Sequence, residues 1–218
     1  MTEAQLTEFG KNFGMVIVDE AHRAAAGIET MKSFERVLSY MPAYYRFGLT
    51  ASEHRSDGLM ETVYHIIGPK FHEIFREAIP EYLIVPRVQF IYTGWTWSYD
   101  QSKYDRLPFS LMLSEMSEDA RRNELLVRNI LQYGVGHMNL ILGDTLAGLQ
   151  LLRNEVAEIA GDHCCVFIHG GTPKKERTKA VADMRHGKKQ FMFATYALAK
   201  EGLDIPCLDR LFLTTPKK

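Results

Sequence analysis

Cysteine is scarce in this sequence of 218 residues, and its three cysteines follow no spaced pattern. They are Cys164, Cys165 and Cys207, an odd number in which two are adjacent. A disulfide framework needs spaced pairs and is typical of secreted proteins, so the pattern argues against that class. His163, next to the adjacent pair, also lacks zinc-ligand spacing and is expected to be structural. We therefore expect a reducing, cytoplasmic environment.

Long hydrophobic runs and a dominant charge are lacking as well. No apolar stretch approaches the ~20 residues that cross a bilayer, so no membrane partner is expected. Residues Met1–Gln5 have neither a basic start nor an apolar core, and a signal peptide is not indicated. The formal net charge is -1, whereas proteins that coat nucleic acid nonspecifically are usually strongly basic. Any phosphate-binding surface must therefore be a local groove.

Short apolar runs alternate with amphipathic stretches along the chain. The runs predict strands at Met15–Val18, Tyr44–Leu49, Val88–Tyr92, Asn139–Leu142, Cys164–Ile168, Phe191–Ala194 and Arg210–Leu213. Because these runs are almost continuously apolar, they are typical of strands covered on both faces in a parallel sheet. The intervening patterns predict helices over Glu118–Tyr133 and Thr145–Ala160, the latter ending at Gly161. They also predict a third helix that is capped at Thr172 and has Pro173 as its first residue. This alternation predicts an α/β fold.

The rhythm of strands and helices breaks at Ile79–Pro86, where two prolines bracket Glu81–Val85. We therefore predict two domains, residues 1–82 and 83–218. The first has only two clear strands, which is too few for a complete α/β domain. Its sheet is expected to have open edges.

Two adjacent carboxylates, Asp19 and Glu20, end the first apolar run. Ligands of open α/β sheets lie beyond the carboxyl ends of the strands, where these side chains are predicted to lie. One carboxylate suits Mg²⁺, which prefers oxygen ligands and shares its site with substrate phosphates, and a second can orient or deprotonate a water. Alone, the pair is equally typical of a helix N-cap with an incidental Glu.

Two further segments follow in order. Thr50-Ala51-Ser52 ends the second apolar run, and the segment Thr195–Pro206 follows a later one. Within that segment, Gly202-Leu203-Asp204 by itself is typical of a plain turn. Together with Asp19-Glu20 they make three segments in a fixed order, each at the end of a predicted strand, which chance explains less readily than any one of them alone.

Several weaker patterns lie downstream. His169-Gly170-Gly171 and Gly143-Asp144-Thr145 each follow a predicted strand, and glycine allows a close approach of another backbone, although simple turns fit nearly as well. Four basic residues could contact phosphates or form a solvated helix face, namely Lys174, Lys175, Arg177 and Lys179. Trp95, Trp97 and Tyr99 alternate at strand spacing and either stack on bases or cover one face of a linking strand.

The segments Asp19-Glu20-Ala21-His22, Thr50-Ala51-Ser52 and Thr195–Pro206, in this order, resemble motifs II, III and V of superfamily 2 helicases and DNA translocases. The similarity is to the DEAH-type branch that includes phage helicases and restriction-enzyme motors, and it spans nearly the whole chain. It implies two RecA-like parallel-sheet lobes, the first truncated at its N-terminus and the second at its C-terminus. It also implies an ATP-dependent DNA helicase or translocase that uses ATP and Mg²⁺, with DNA favoured over RNA as the partner.

The resemblance implies a role for each matching residue. Asp19 would hold Mg²⁺, Glu20 would polarise the hydrolytic water, and His22 would connect motif II to motif III. Thr50 and Ser52 would couple the nucleotide state to the lobes, with Ser52 standing where the family more often has Thr. In the second lobe the nucleotide would meet Gly202 and Asp204, and nucleic acid would meet His169, Gly170 and Thr195.

The P-loop pattern Gly-x-x-x-x-Gly-Lys-Ser/Thr does not occur in this sequence, and neither does the arginine-rich motif VI. Because removing positioned cations and amides around a transferring phosphate costs orders of magnitude in rate, we expect the isolated chain to be an inactive fragment. Two alternatives stay open. One is a non-hydrolysing nucleic-acid-binding module. The other is a split motor, in which a second polypeptide supplies the P-loop and docks on the open edge of the first sheet.

Overall fold

The structure, a computed structural model, describes residues 2–25, 34–51, 57–78, 85–97, 108–200, 203 and 205–217. The chain divides into two compact units, Met1–Arg87 and Val88–Lys218. The sequence placed a division after residue 82, and the assignment of the units to two helicase lobes stays a prediction. Among the described residues, no helix has the length and apolar character that would let it span a membrane.

The first unit is built on two parallel strands. Its elements are α1 (Glu3–Gly10), β1 (Met15–Val18), α2 (Phe34–Ser39), β2 (Tyr45–Gly48) and α3 (Met60–Ile67), with short 3₁₀ turns at Ala21–Arg23 and Arg76–Ala78. Helix α1 begins with a capping box, because Thr2 and Gln5 bond each other's backbone N–H. Strands β1 and β2 run in register from Met15 beside Tyr45 to Val18 beside Gly48. Both predicted strands are therefore present, the second one residue shorter at each end.

The core of the first unit lies on one face of this sheet. Val18 is buried with Ala21, Ala24 and Leu38, and α3 packs against the same cluster. Met15 and Ile17 alternate with the core residues and are more than half exposed. The prediction that these strands are covered on both faces is therefore wrong for the described part of this unit. An apolar run does not reveal how many layers cover it.

The second unit has a larger parallel sheet with helices on both faces. Its elements are α4 (Phe109–Glu118), α5 (Ala120–Gly134), β3 (Asn139–Gly143), α6 (Leu146–Ala160), β4 (Cys165–Ile168), α7 (Lys174–Arg185), β5 (Phe191–Thr195), α8 (Tyr196–Lys200) and β6 (Arg210–Leu213). The strand order is β4-β5-β3-β6, and every pair is parallel. The α/β fold with parallel sheets that the sequence predicted is confirmed.

Both faces of this sheet are buried at its centre. On one face, Ile141 and Phe193 pack with α5 and α6. On the other face, Leu140 and Met192 pack with α7 and α8. All five residues of β3 and of β5 are buried, which explains their unbroken apolar runs.

Two predicted elements differ from the observed ones. Residues 85–97 contain no strand, and the side chains of Phe90 and Tyr92 are almost fully exposed, so the strand predicted at Val88–Tyr92 is wrong. Without a neighbouring strand, an apolar run has no partner for its backbone. The helix predicted over Glu118–Tyr133 instead begins after Asp119, whose side chain accepts a hydrogen bond from the Arg122 N–H and separates α4 from α5.

The end of α6 is as predicted, but the start of α7 is not. Gly161 ends α6 with a φ of 96°, a conformation that favours glycine, as its position indicated. Pro173 lies just before α7 with a ψ of 142° and is not the first helical residue. Thr172 does not cap that helix, because its hydroxyl accepts a hydrogen bond from the His169 N–H.

Candidate functional site

Asp19 and Glu20 lie at the carboxyl edge of the first sheet, directly after β1. The Leu49 N–H donates to the Val18 carbonyl at 2.8 Å, and the Ala21 N–H donates to the Leu49 carbonyl at 2.9 Å. These bonds continue the β1–β2 pairing beyond the strands. They bring the Asp19–His22 turn beside the residues that follow β2.

Glu20 has a left-handed backbone, with φ 51° and ψ 46°. It is the one non-glycine residue with a positive φ in the described ranges. Such a conformation costs on the order of 1–3 kcal/mol and is found preferentially at functional sites. Asp19 Oδ1 accepts a hydrogen bond from the Glu20 N–H at 2.8 Å, which stabilises the turn.

The alternative that Asp19 caps an α-helix does not fit this geometry. Within the described residues up to 25, only the three-residue 3₁₀ turn Ala21–Arg23 follows, and no side chain caps it. The carboxylates therefore lie exposed at the sheet edge, where a ligand can reach them.

His22 joins the two segments at this edge. Its Nδ1 lies 2.8 Å from Thr50 Oγ1 and 3.2 Å from Glu20 Oε2. A carboxylate can only accept a hydrogen bond, so a hydrogen on Nδ1 suits both neighbours. Glu20, His22 and Thr50 thus form one polar cluster, while Ser52 lies outside the described residues. The Glu20–His22 contact was not predicted from the sequence.

Gly48 allows this turn to approach β2. A Cβ at position 48 would lie 2.8 Å from the Ala21 Cβ and 3.2 Å from side-chain atoms of Ile67. Sequence reasoning missed this requirement, although a glycine inside an apolar run was a visible signal of close packing.

The donor set at this edge fits magnesium only as a partner of a bound nucleotide. In the described ranges, no group of three or more His, Cys, Asp or Glu side chains is placed to hold a metal ion. Mg²⁺ in phosphate-transfer sites commonly takes one or two carboxylates, substrate phosphates and water. Asp19 is an exposed carboxylate of that kind.

The candidate residues of the second unit share one sheet edge. Thr195 ends β5 beside Gly143 of β3, and β4 ends at Ile168 beside Ala194. His169 and Gly170 therefore follow the neighbouring strand at the same carboxyl edge. The Thr195 hydroxyl is buried and accepts from the Leu198 N–H at 3.4 Å. Gly202 and Asp204 lie outside the described residues.

The loop after β4 is ordered by its own polar groups. The Gly171 N–H donates to His169 Nδ1 at 3.1 Å, and the His169 N–H is bonded to Thr172. A Cβ at Gly170 would meet nothing within 4 Å, and the residue is exposed. Packing therefore does not require the glycine at position 170.

A buried polar network at this edge was not predicted. Thr214 donates to the Leu142 carbonyl from both its N–H and its hydroxyl, each at 2.8 Å. The Thr215 hydroxyl accepts from the Asp144 N–H at 3.0 Å. The buried Arg122 guanidinium donates to the Thr214 carbonyl. Two threonines directly after an apolar run were the available signal.

Arg122 is the charged member of this network. Burial lowers the pKa of its guanidinium, and the nearby Asp119 carboxylate opposes that shift. An arginine stays protonated in proteins, so this side chain brings a positive charge to the residues after β6.

Two family models match the chain. The model described as "Type III restriction enzyme, res subunit" matches residues 2–55, and the one described as "Helicase conserved C-terminal domain" matches residues 121–218. The first match lies in the first unit and includes Asp19–His22 and Thr50. The second lies in the second unit and includes His169 and Thr195.

Two curated relatives match almost the whole chain. The "Putative ATP-dependent RNA helicase L396" of Acanthamoeba polyphaga mimivirus is 28% identical over 96% of this chain and 39% of its own length. The "General transcription and DNA repair factor IIH helicase/translocase subunit XPB" of Schizosaccharomyces pombe is 22% identical over 90% of this chain and 23% of its own length. The chain thus spans well under half the length of either relative.

A solved structure with a similar fold is S. cerevisiae Dbp5 bound to RNA and ADP BeF3. It has a TM-score of 0.56 and 14% identity, and the match covers 100% of this chain and 50% of that one. At this identity the likeness concerns the fold alone.

The parallel α/β sheets match the RecA-like fold of solved helicase domains. The two family models and the helicase relatives specify the class further. Together they support a superfamily 2 helicase, and the chain spans part of the length of those relatives.

Proposed function

We propose that this chain is part of an ATP-dependent DNA helicase or translocase. The observation that carries the proposal is the polar cluster at the edge of the first sheet, where His22 Nδ1 lies 2.8 Å from Thr50 Oγ1 beside Glu20 and Asp19. These residues come from separate segments of the sequence. A cluster of this composition at a strand's carboxyl end suits the hydrolysis of a nucleotide.

Each residue of the cluster has a distinct part in the proposed reaction. Asp19 would hold the metal that accompanies ATP, which would supply positive charge to offset that of the phosphates. Glu20 orients the attacking water and receives its proton. His22 Nδ1 contacts both the Glu20 carboxylate and the Thr50 hydroxyl, so a shift at the nucleotide is passed on to the residues after β2.

In the second unit, the carboxyl edge of the sheet is the proposed nucleic-acid surface. Thr195, His169 and Gly170 contact the sugar-phosphate backbone, for which the exposed Gly170 leaves room. Gly202 and Asp204 contact the nucleotide. DNA is proposed over RNA from the resemblance to restriction motors, and the "Type III restriction enzyme" match supports it. The names of the relatives and of the solved structure point to both nucleic acids.

The site is tested in a protein that includes a P-loop, either as one longer polypeptide or as this chain together with a second polypeptide that supplies the P-loop. Glu20→Gln should lower nucleic-acid-stimulated ATP hydrolysis about a hundredfold or more while ATP binding persists, because the amide cannot take the proton of the water. Glu8→Gln, which changes an exposed carboxylate of α1, is the matched control and should retain full activity. Equal activity of the two variants would contradict the assignment of Glu20.

The isolated 218-residue chain should hydrolyse ATP at no more than the background rate, because its sequence holds no P-loop. Robust turnover by this chain would contradict that part of the proposal. Competition between single-stranded DNA and RNA of the same base sequence tests the preference for DNA. Tighter RNA binding would reverse it.

The exposed face of the first sheet supports a second candidate, a motor completed by a P-loop-bearing polypeptide. Met15 and Ile17 lie uncovered on that face. Ile17→Asp should abolish co-purification with such a partner and leave nucleic-acid binding intact. The remaining candidate is a non-hydrolysing binding module. It predicts nucleic-acid binding that nucleotide does not affect, either for the chain alone or for the chain with a P-loop-bearing partner.

A further inference from the structure

Helix α7 and the turn after it concentrate positive charge in a chain that has almost no net charge. Residues 174–189 contain seven Lys or Arg and two Asp or Glu, whereas the formal net charge of the whole chain is -1. The sequence alone left open whether the first of these cations form a solvated helix face or contact phosphates. Their placement in the fold favours phosphates.

Three lysines of α7 lie on the side of the helix that faces solvent. Ala180 and Met184 are buried against the sheet, whereas Lys174, Lys175 and Lys179 are exposed. Lys175 and Lys179 are four residues apart, so their side chains are neighbours on one stripe of the helix. We call the three lysines the basic face of α7.

The basic face is unfavourable for the helix that carries it. Lys174 and Lys175 lie in the first turn, where the partial positive charge of the helix end favours acids over cations. Lys175 and Lys179 also repel each other as like charges one turn apart. Among the described residues, none of the three forms an ion pair, although Glu176 and Asp183 lie on the same helix. The stability of the fold therefore does not explain these lysines, whereas an anionic partner does.

Helix α7 leads away from the candidate nucleic-acid edge of the second unit. It begins at Lys174, shortly after the loop that holds His169 and Gly170, and it connects β4 to β5. Because β4 and β5 are parallel neighbours, the helix runs from the carboxyl edge of the sheet back towards the opposite edge. Its 12 residues extend over about 18 Å, the length of about five successive phosphates on one strand of a DNA duplex.

We propose that the basic face of α7 binds the sugar-phosphate backbone of nucleic acid beyond the contact at the carboxyl edge. The inference rests on the proposed function and extends its nucleic-acid surface to a second element. Lysines that neutralise phosphates release counterions, which raises affinity without reading the base sequence. A local basic surface of this kind lets a chain with almost no net charge attract a polyanion.

The salt dependence of DNA binding tests this face. Fluorescence anisotropy of a labelled DNA duplex with a single-stranded tail measures the affinity of the 218-residue chain over a series of NaCl concentrations. Lys175→Gln combined with Lys179→Gln should weaken binding about tenfold at low salt. The same double variant should reduce the slope of log affinity against log salt by about 1.4–1.8, since each lost phosphate contact removes about 0.7–0.9.

The matched control removes the same charge from the other face of the sheet. Arg121 and Arg128 are exposed on α5, which packs on the face opposite to α7. Arg121→Gln combined with Arg128→Gln should therefore leave the salt slope of the unchanged chain intact. Lys175→Arg combined with Lys179→Arg keeps both charges on α7 and should retain the slope as well.

Unfolding in urea, followed by the fluorescence of the two tryptophans of the second unit, shows that the variants are folded. The Lys→Gln double variant should not lower the midpoint, because it removes a repulsion between like charges. An unaltered salt slope in this variant would overturn the inference and leave the proposed function in place, because the unchanged chain would still bind DNA.

Two other results would also count against the basic face. An equal loss of slope in the α5 control would show that net charge governs binding, which would overturn the inference. If neither the unchanged chain nor the P-loop-bearing protein bound DNA or RNA, the proposed function would be contradicted and the inference would fail with it.

Discussion

The two-stranded sheet of the first unit and the four-stranded sheet of the second differ in what covers their faces. Ile17 of β1 is 57% exposed, whereas Phe191, Met192 and Phe193 of β5 are 0% exposed. Parallel sheets are almost always covered on both faces, and a two-stranded sheet has little stability of its own. The centre of the second sheet is therefore covered on both faces, whereas Leu211 and Leu213 of its edge strand β6 are 59% and 63% exposed, so the prediction of two covered faces is wrong for that strand as well. The described part of the first unit has a bare apolar face and should be the first to open.

Truncating one apolar side chain in each sheet tests this difference in coverage. Of the changes considered, it should have the largest effect on the free energy of unfolding. Phe193→Ala should lower the free energy of unfolding of the second unit by about 3–5 kcal/mol, because it leaves a cavity in a fully packed core. Ile17→Ala, on the exposed face, should change the stability of the first unit by about 0.5 kcal/mol or less.

Tryptophan fluorescence during urea unfolding measures the second unit, which holds both tryptophans, and hydrogen exchange of peptides measures the first. A large loss from Ile17→Ala would mean that this face is covered in solution. That result would contradict the difference between the two sheets and support a docked partner.

The carboxyl edges of the two sheets provide the next test. Gly48→Ala should destabilise the first unit by about 1–3 kcal/mol, because the new methyl group would meet Ala21 and Ile67 at the turn that holds Glu20. Gly170→Ala is the matched change at the edge of the second sheet. It should have an effect of about 0.5 kcal/mol or less on stability, because a Cβ there meets nothing.

Nucleotide and nucleic-acid binding by the same two variants sharpens this comparison. Under the proposed function, Gly48→Ala disturbs the nucleotide cluster, while Gly170→Ala narrows the approach to the nucleic-acid backbone. Hydrogen exchange that shows equal destabilisation of both units would contradict the close packing at Gly48.

The sequence was informative about strands and less so about their surroundings. Six of the seven apolar runs are strands in the structure, because local composition reports burial along the chain. Val88–Tyr92 has the same composition but no neighbouring strand, and pairing depends on distant residues. The exposure of Ile17 could not be predicted either, because the coverage of a strand also depends on residues that are distant in sequence.

The candidate site was partly predictable. The order of three short segments along the sequence predicted four of its residues, Asp19, Glu20, His22 and Thr50. The structure brings His22, Glu20 and Thr50 into contact. The left-handed backbone of Glu20 could not be predicted, because a glutamate gives no signal for that conformation. Arg122 and Thr214 are far apart in sequence, so only the folded sheet reveals their contact.

The smallest expected effect concerns acid stability, at the opposite edge of the second sheet. Burial alone would raise the pKa of Asp209, but hydrogen bonds from His137 and from the Met138 N–H outweigh it and lower the pKa below the usual range of an aspartate. The stabilisation from this carboxylate is therefore present above the unfolded-state pKa and is lost as the pH falls through the lower folded-state pKa. Asp209→Asn should flatten the loss of stability of the second unit below about pH 4, measured by tryptophan fluorescence. Glu8→Gln removes an exposed ion pair of the first unit and should leave that acid transition unchanged. An unaltered transition in Asp209→Asn would show that the His137 contact adds nothing to the second unit, whose acid stability would then rest on its buried core.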